Sequence, residues 1–365
     1  MSLWGDKYRP TTLDKMSYHN GLSKHLSQLA KTTSSFDPFH NNHTQASHDN
    51  MPHLLFYGPP GAGKKTRLTA VLRAIYGPAV EKLKIEQRTF VTTASRKLNF
   101  TVVSSNFHIE LNPSDLGIYD QVIMQDVIKD VAQSQQIDTN AKHQFKVIVI
   151  DQADELTREA QAALRRTMEK YTSNMRLIMC CTSLSKIIAP VRSRCLLLRV
   201  SRPTVENVTK VLQKVAKEEG VNLPGNLAVK IAEHSKCNLR AALLSFESMA
   251  SQHPDLTLIN RVDTLDWEHA ISNIADGILQ EQAVSRVLSV RGALYDLLSH
   301  CIEGTAIIKY LTLNLIKHLD EEMKRVTIDL AAKHQYRLRL GKKEIFHLEA
   351  FVIEFMHEYK TYVKE

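Results

Sequence analysis

The sequence predicts a mostly parallel α/β domain followed by two helical units. Three observations point there. Short apolar runs alternate with helical patterns as far as Val200, the arrangement of a sheet covered by helices on both faces. One such run, Leu54-Leu55-Phe56-Tyr57, meets a glycine-rich turn and then an apparent helix, Lys65 to Ile75. After Arg202-Pro203 the strand patterns stop and helical ones continue to the last residues. These changes divide the chain into 1–202, 203–254 and 255–365, with a polar loop at 32–50.

In chain order, an amphipathic helix is expected around Gly21 to Ala30. The following Ser, Thr, His, Asn and Asp residues form a solvated loop. His40, His43 and His48 in that loop lack rigid elements to hold a metal. Thr89 to Thr93 and Phe100 to Val103 read as a hairpin joined by Ser95-Arg96-Lys97, and Phe107 to Leu111 as a core strand. A helix is expected over 119–134. Phe145 to Ile150, Met175 to Cys181 and Leu196 to Val200 are apolar strands, with a helix from Glu159 to Tyr171 between the first two. Helical patterns fill 204–216 and 225–252, a small all-α unit. A third, helical unit begins at Asp266, with apolar faces such as Leu294, Leu297, Leu298, Cys301 and Ile302.

Composition narrows the functional classes. With 365 residues, 43% hydrophobic and 24% charged, the chain has the profile of a soluble protein with two or three domains. A net charge of +8 permits a polyanionic partner. Cys180, Cys181, Cys195, Cys237 and Cys301 are odd in number and fit no zinc spacing, which suits a reducing compartment. No run approaches a membrane span, and Met1-Ser2-Leu3-Trp4 has no signal pattern, so no membrane partner is expected.

The glycine-rich turn is Gly58-Pro59-Pro60-Gly61-Ala62-Gly63-Lys64-Lys65-Thr66. Strand, glycines, lysine and helix together make a phosphate cradle, with backbone N–H groups and a helix N-terminus facing the anion. Lys64 is placed to reach the β- and γ-phosphates. The next position in such cradles is Ser or Thr, whose hydroxyl ligates Mg²⁺. Here it is Lys65, and Thr66 comes one place late, about 100° further round the helix. ADP or ATP binding with a weak or absent Mg²⁺ site is the expectation.

Several motifs then fall in one order: Trp4-Gly5-Asp6-Lys7-Tyr8-Arg9-Pro10, the cradle, Ile150-Asp151-Gln152-Ala153-Asp154, Ala163-Leu164-Arg165-Arg166-Thr167-Met168-Glu169, Ser193-Arg194-Cys195 and Asn238-Leu239-Arg240. Over nearly the whole chain this order resembles the small subunits of replication factor C, the eukaryotic AAA+ sliding-clamp loader. The resemblance implies a base domain, a helical lid and a helical collar. It implies a nuclear hetero-pentamer with the other replication factor C subunits, acting on the sliding clamp PCNA at primer–template DNA.

By the same resemblance, Gly5, Tyr8, Arg9, Pro10, Met16 and Ser17 line an adenine pocket. Asp151 matches the aspartate that holds Mg²⁺ through water. The following residue is normally Glu, which polarises the attacking water; Gln152 has the shape without the charge. The sensor position holds Thr182 where the family has Asn. Arg240 matches a lid arginine that reaches the chain's own phosphates. Arg194 matches an arginine finger delivered to the neighbouring subunit's ATP site. Arg165 and Arg166 serve either that interface or DNA phosphates. The family's DNA-tracking arginines are absent from Ser114 to Asp120, which leaves Lys129 or the basic hairpin Lys84, Arg88, Arg96 and Lys97 for any direct DNA contact. Three functions compete: a non-hydrolysing loader subunit, shared or not with alternative loaders; a self-sufficient ATPase using Thr66 or Asp154; and a scaffold that binds no nucleotide.

Overall fold

Leu54, Leu55 and Phe56 are all buried, because their strand has a partner on each side and both sheet faces are covered. The computed structural model describes residues 3–34, 51–91, 97–113, 120–122, 124, 128–129, 145–172, 175–253, 256–258, 262, 265–341 and 343–364. The stretch 35–50, the hairpin turn at 92–96, residues 114–119 and most of the helix expected over 119–134 lie outside them.

The sheet comprises β1 (His53–Tyr57), β2 (Lys84–Val91), β3 (Lys97–Ser104), β4 (His108–Leu111), β5 (Lys146–Ile150), β6 (Met175–Cys181) and β7 (Cys195–Arg199), in the order β2-β3-β4-β5-β6-β1-β7. Pairing is parallel from β4 to β7, with Leu54 opposite both Ile178 and Leu196. β2 and β3 add an antiparallel hairpin at one edge. Its strands are longer than the sequence suggested: Lys97, expected in the turn, pairs with Val91.

Strand alternation sorts the core onto two faces. Leu55, Ile148, Ile150, Leu177 and Met179 pack with Ala160, Leu164 and Met168 of the helix Arg158–Lys170. Leu54, Phe56, Val147, Val149 and Ile178 pack with Leu68 and Leu72 of the helix Lys64–Tyr76 and with Leu26 of the helix Asn20–Ser34. We label these helices α1 (Asn20–Ser34), α2 (Lys64–Tyr76) and α3 (Arg158–Lys170).

Three helices follow, α4 (Val205–Glu219), α5 (Gly225–His234) and α6 (Leu239–Gln252), around Val208, Leu212, Ile231 and Phe246. The pattern expected over 225–252 is interrupted at Lys236 and Cys237, both with positive φ. Contact density groups Met1–Val262 as one compact unit and Asp263–Glu365 as another. The second unit contains α7 (Asp266–Gln280), α8 (Val284–Ser299), α9 (Gly304–Ile316), α10 (Glu321–Leu340) and α11 (Glu344–Lys364), packed around Leu294, Leu311, Phe351 and Phe355. Among the described residues no helix is long and apolar enough to cross a membrane.

Candidate functional site: a nucleotide cleft with a lysine at the metal position

Parallel strands put the ends of β1, β5 and β6 at one edge of the sheet, where ligands of such sheets bind. Most of the predicted residues meet there, in a cleft of about 800 Å³. Gly5, Tyr8, Arg9, Pro10, Met16, Ser17, Pro60, Gly61, Gly63, Lys64, Lys65, Thr66, Asp151, Gln152, Thr182 and Arg240 line it. Gly58, Pro59 and Ala62 are absent from its wall; Ala62 is buried behind the loop.

The loop can only be built with glycine. Gly61 has φ +70°, and a Cβ there would lie 1.6 Å from Asn238 Oδ1. Gly63 has φ +85°, and a Cβ would lie 2.6 Å from Tyr18 Oη. The Tyr18 hydroxyl in turn donates to Ala62 O at 2.9 Å. Lys64 folds over the loop, donating to Gly58 O at 2.7 Å and Pro59 O at 3.1 Å. Burial lowers its pKa. These carbonyl contacts are ones that phosphate oxygens can replace, so the glycines, Lys64 and the cleft volume fit a nucleotide.

Mg²⁺ does not fit the same set. The Lys65 ammonium lies 3.0 Å from Glu110 Oε2 and 3.3 Å from Asp151 Oδ2, so a fixed cation already holds the carboxylate that a metal needs. Burial works to lower the Lys65 pKa, but Glu110 and Asp151 outweigh it and the pKa is raised. Burial likewise works to raise the Glu110 carboxyl, yet His108 and Lys65 bring it down to about 2. Both partners of the pair are therefore charged at neutral pH.

Both expected substitutes for a catalytic group are engaged elsewhere. Thr66 Oγ1 accepts from Arg9 Nε at 3.1 Å. Asp154 is 8% exposed and accepts from the Thr182 hydroxyl, which also occupies the sensor residue. Gln152 sits at φ +51°, a left-handed conformation uncommon outside glycine. Its backbone N–H donates to Asp151 Oδ1 at 3.1 Å.

Arg194 is not in the cleft wall. It follows the single helical turn Ala189–Arg192 and donates to Glu169 Oε1 from Nε at 2.8 Å and to Pro190 O from Nη1 at 2.7 Å. Arg165 Nε approaches the same Glu169 oxygen at 3.6 Å. Asp120, at the end of the stretch compared with the DNA-tracking helix, is 1% exposed and accepts from Thr157 N and Oγ1. It caps α3. Of the candidate DNA cations, Arg96 lies outside the described residues; Lys84 is exposed on the edge strand β2.

A family model described as "Replication factor C subunit 3, C-terminal domain" matches residues 267–363. A second, for the "RCF1/5-like, AAA+ ATPase lid domain", matches 210–251, and a third, for "DNA polymerase III, delta subunit", matches 38–204. Replication factor C subunit 5 of Neurospora crassa is 48% identical over 100% of this chain and 99% of its own length. Subunit 3 of Homo sapiens is 45% identical over 100% and 98%, and subunit 5 of Schizosaccharomyces pombe 49% over 98% and 96%. The chain belongs to the replication factor C small-subunit family. Among solved structures, a Lys-to-Arg mutant of Thermotoga maritima RuvB matches with a TM-score of 0.50 at 16% identity, covering 80% of this chain and 87% of that one, a likeness of fold alone. The fold class expected from the sequence, an AAA+ α/β domain with a lid and a C-terminal helical domain, is the one observed.

Some contacts around this family member's cleft were not foreseen from the sequence. Tyr8, expected on the adenine side and found in the cleft wall, also packs with Trp4 against the lid core. The Trp4 ring packs at a tilt against Phe246 with centroids 5.1 Å apart, the Trp4 backbone N–H donates to Glu247, and Tyr8 Oη and Lys7 Nζ both reach Glu219 Oε1 at 2.7 Å. The first residues thus strap the lid to the base, since Arg9 bonds Thr66 of α2. Glu110, Tyr18 and Asn238 were missed as loop supports. Asn238 alone left a local trace, as an Asn just before a helix.

Proposed function

We propose that the chain binds ADP or ATP in this cleft, hydrolyses it little or not at all, and supplies Arg194 to a neighbouring subunit's ATP site in a replication factor C hetero-pentamer. The contact of Lys65 with Asp151 carries the first part: the ammonium stands where a hydrolytic site needs a divalent cation. Gln152 has no carboxylate with which to take a proton, and Thr182 is bonded to Asp154. The loop, Lys64 and Arg240 retain what nucleotide binding alone requires, which argues against an empty scaffold. Within the assembly, nucleotide binding energy drives opening of the sliding clamp PCNA and its loading at primer–template DNA in the nucleus. The chain's direct share of DNA contact is small in this reading.

Turnover by the isolated chain and by the assembled complex tests it. The isolated chain is expected to retain ADP in the presence of a chelator and to show no turnover. In the complex, Arg194→Ala lowers ATPase activity by about 10³-fold at the site it serves, while Lys64→Ala mainly weakens assembly. Steady hydrolysis by the isolated chain, or the reverse pattern in the complex, overturns the proposal.

A further inference from the structure

An arginine that acts on another subunit's nucleotide has to deliver its charge at one point. Its side chain is long, and Arg194 is partly exposed, so fixing it costs rotamer entropy. The structure shows how that freedom is removed. Nε and Nη2 of Arg194 both reach Glu169 Oε1, and Nη1 donates to Pro190 O at 2.7 Å and to Ser193 Oγ at 3.3 Å. A guanidinium has five N–H groups. These four contacts fix its plane and leave one Nη2 hydrogen to meet a phosphoryl oxygen. Glu169 lies in the last turn of α3, whose buried face, Leu164, Thr167 and Met168, is anchored in the sheet core. The carboxylate therefore stands on a rigid element, whereas Arg194 lies between a short turn and an edge strand. Arg194 holds the Glu169 carboxyl below its ordinary range, so it stays charged at neutral pH.

We propose that Glu169 is a positioning residue for Arg194, fixing the guanidinium for use on a neighbouring subunit's ATP. The proposal rests on the reading of Arg194 given above. Arg165 Nε lies 3.6 Å from the same oxygen. A group that orients a charge used in the transition state affects kcat more than KM.

The test is steady-state ATPase kinetics of the assembled complex carrying Glu169→Ala, Glu169→Asp, Arg194→Ala or Glu169→Ala with Arg194→Ala. Glu169→Ala is expected to lower kcat about tenfold with KM within about twofold. Glu169→Asp restores part of the loss. The double variant matches Arg194→Ala alone, because Glu169 acts only through Arg194. Thermal unfolding of the single variants stays at the wild-type midpoint, as for an exposed ion pair. If Arg194→Ala lowers activity while Glu169→Ala equals or exceeds wild type, the positioning role falls and the role of Arg194 stands. A double variant much slower than Arg194→Ala alone also overturns it. Wild-type activity in Arg194→Ala overturns both.

Discussion

At Lys65 one side chain joins two carboxylates beside the phosphate cradle. Its ammonium neutralises Asp151 and Glu110 without a metal, and a Thr in its place restores an oxygen beside both carboxylates. Lys65→Thr is expected to make ADP affinity respond to Mg²⁺ by about tenfold or more, while the wild type changes less than about twofold between Mg²⁺ and a chelator. Titration with a fluorescent ADP in both conditions reads this directly. A second residue sets pH dependence. Burial, then the charge of Arg176, lowers His53 from 6.5 to about 4. Its Nδ1 accepts from Leu177 N at 3.0 Å, across β1 and β6. The unfolded chain binds the proton first, so this contribution is fully present above about pH 6.5 and is lost as pH falls towards 4. Urea midpoints are expected to drop over that window, and His53→Asn to flatten the drop.

The elements show how a lid can be tied to a cradle. Asn238 Oδ1 caps α6 by accepting from Ala241 N at 3.2 Å, and the same oxygen lies against Gly61. Asn238→Ala costs about 1 kcal/mol through the lost cap. Gly61→Ala forces a Cβ into Asn238 at a φ that alanine rarely adopts. We expect ADP affinity to fall at least about tenfold in Gly61→Ala, with part recovered when Asn238→Ala is added. Additive losses in calorimetric titrations would exclude that coupling. The elements were largely legible in the sequence, because apolar periodicity is a local signal: α2, predicted over Lys65 to Ile75, spans Lys64–Tyr76. The breaks inside 225–252 were not, since Lys236 and Cys237 carry positive φ without glycine to announce it.

For the whole molecule, the cleft is walled by residues as far apart in sequence as Gly5, Gly61, Asp151 and Arg240. A ligand that touches all of them stabilises the folded state as a unit. Saturating ADP is expected to raise the thermal midpoint of the full chain, with about 2.7 kcal/mol gained at one hundred times Kd. Lys64→Ala should abolish the shift in differential scanning fluorimetry. A midpoint insensitive to ADP in the wild type would mean that the cleft does not close on nucleotide.

The sequence by itself determined the strand–loop–helix cradle, with Lys65 directly after Lys64 and Gln152 directly after Asp151, and the order of motifs that marks the family. Each is a matter of residue type at short spacing. Only the tertiary structure decided what those residues touch. It set Lys65 between Asp151 and Glu110, gave Thr66 to Arg9 and Asp154 to Thr182, and packed Trp4 and Tyr8 into the lid. It also placed Glu169 against Arg194. Such pairings join strands and helices distant along the chain, and a charge has no periodicity that tells which opposite charge the fold will bring within about 3 Å.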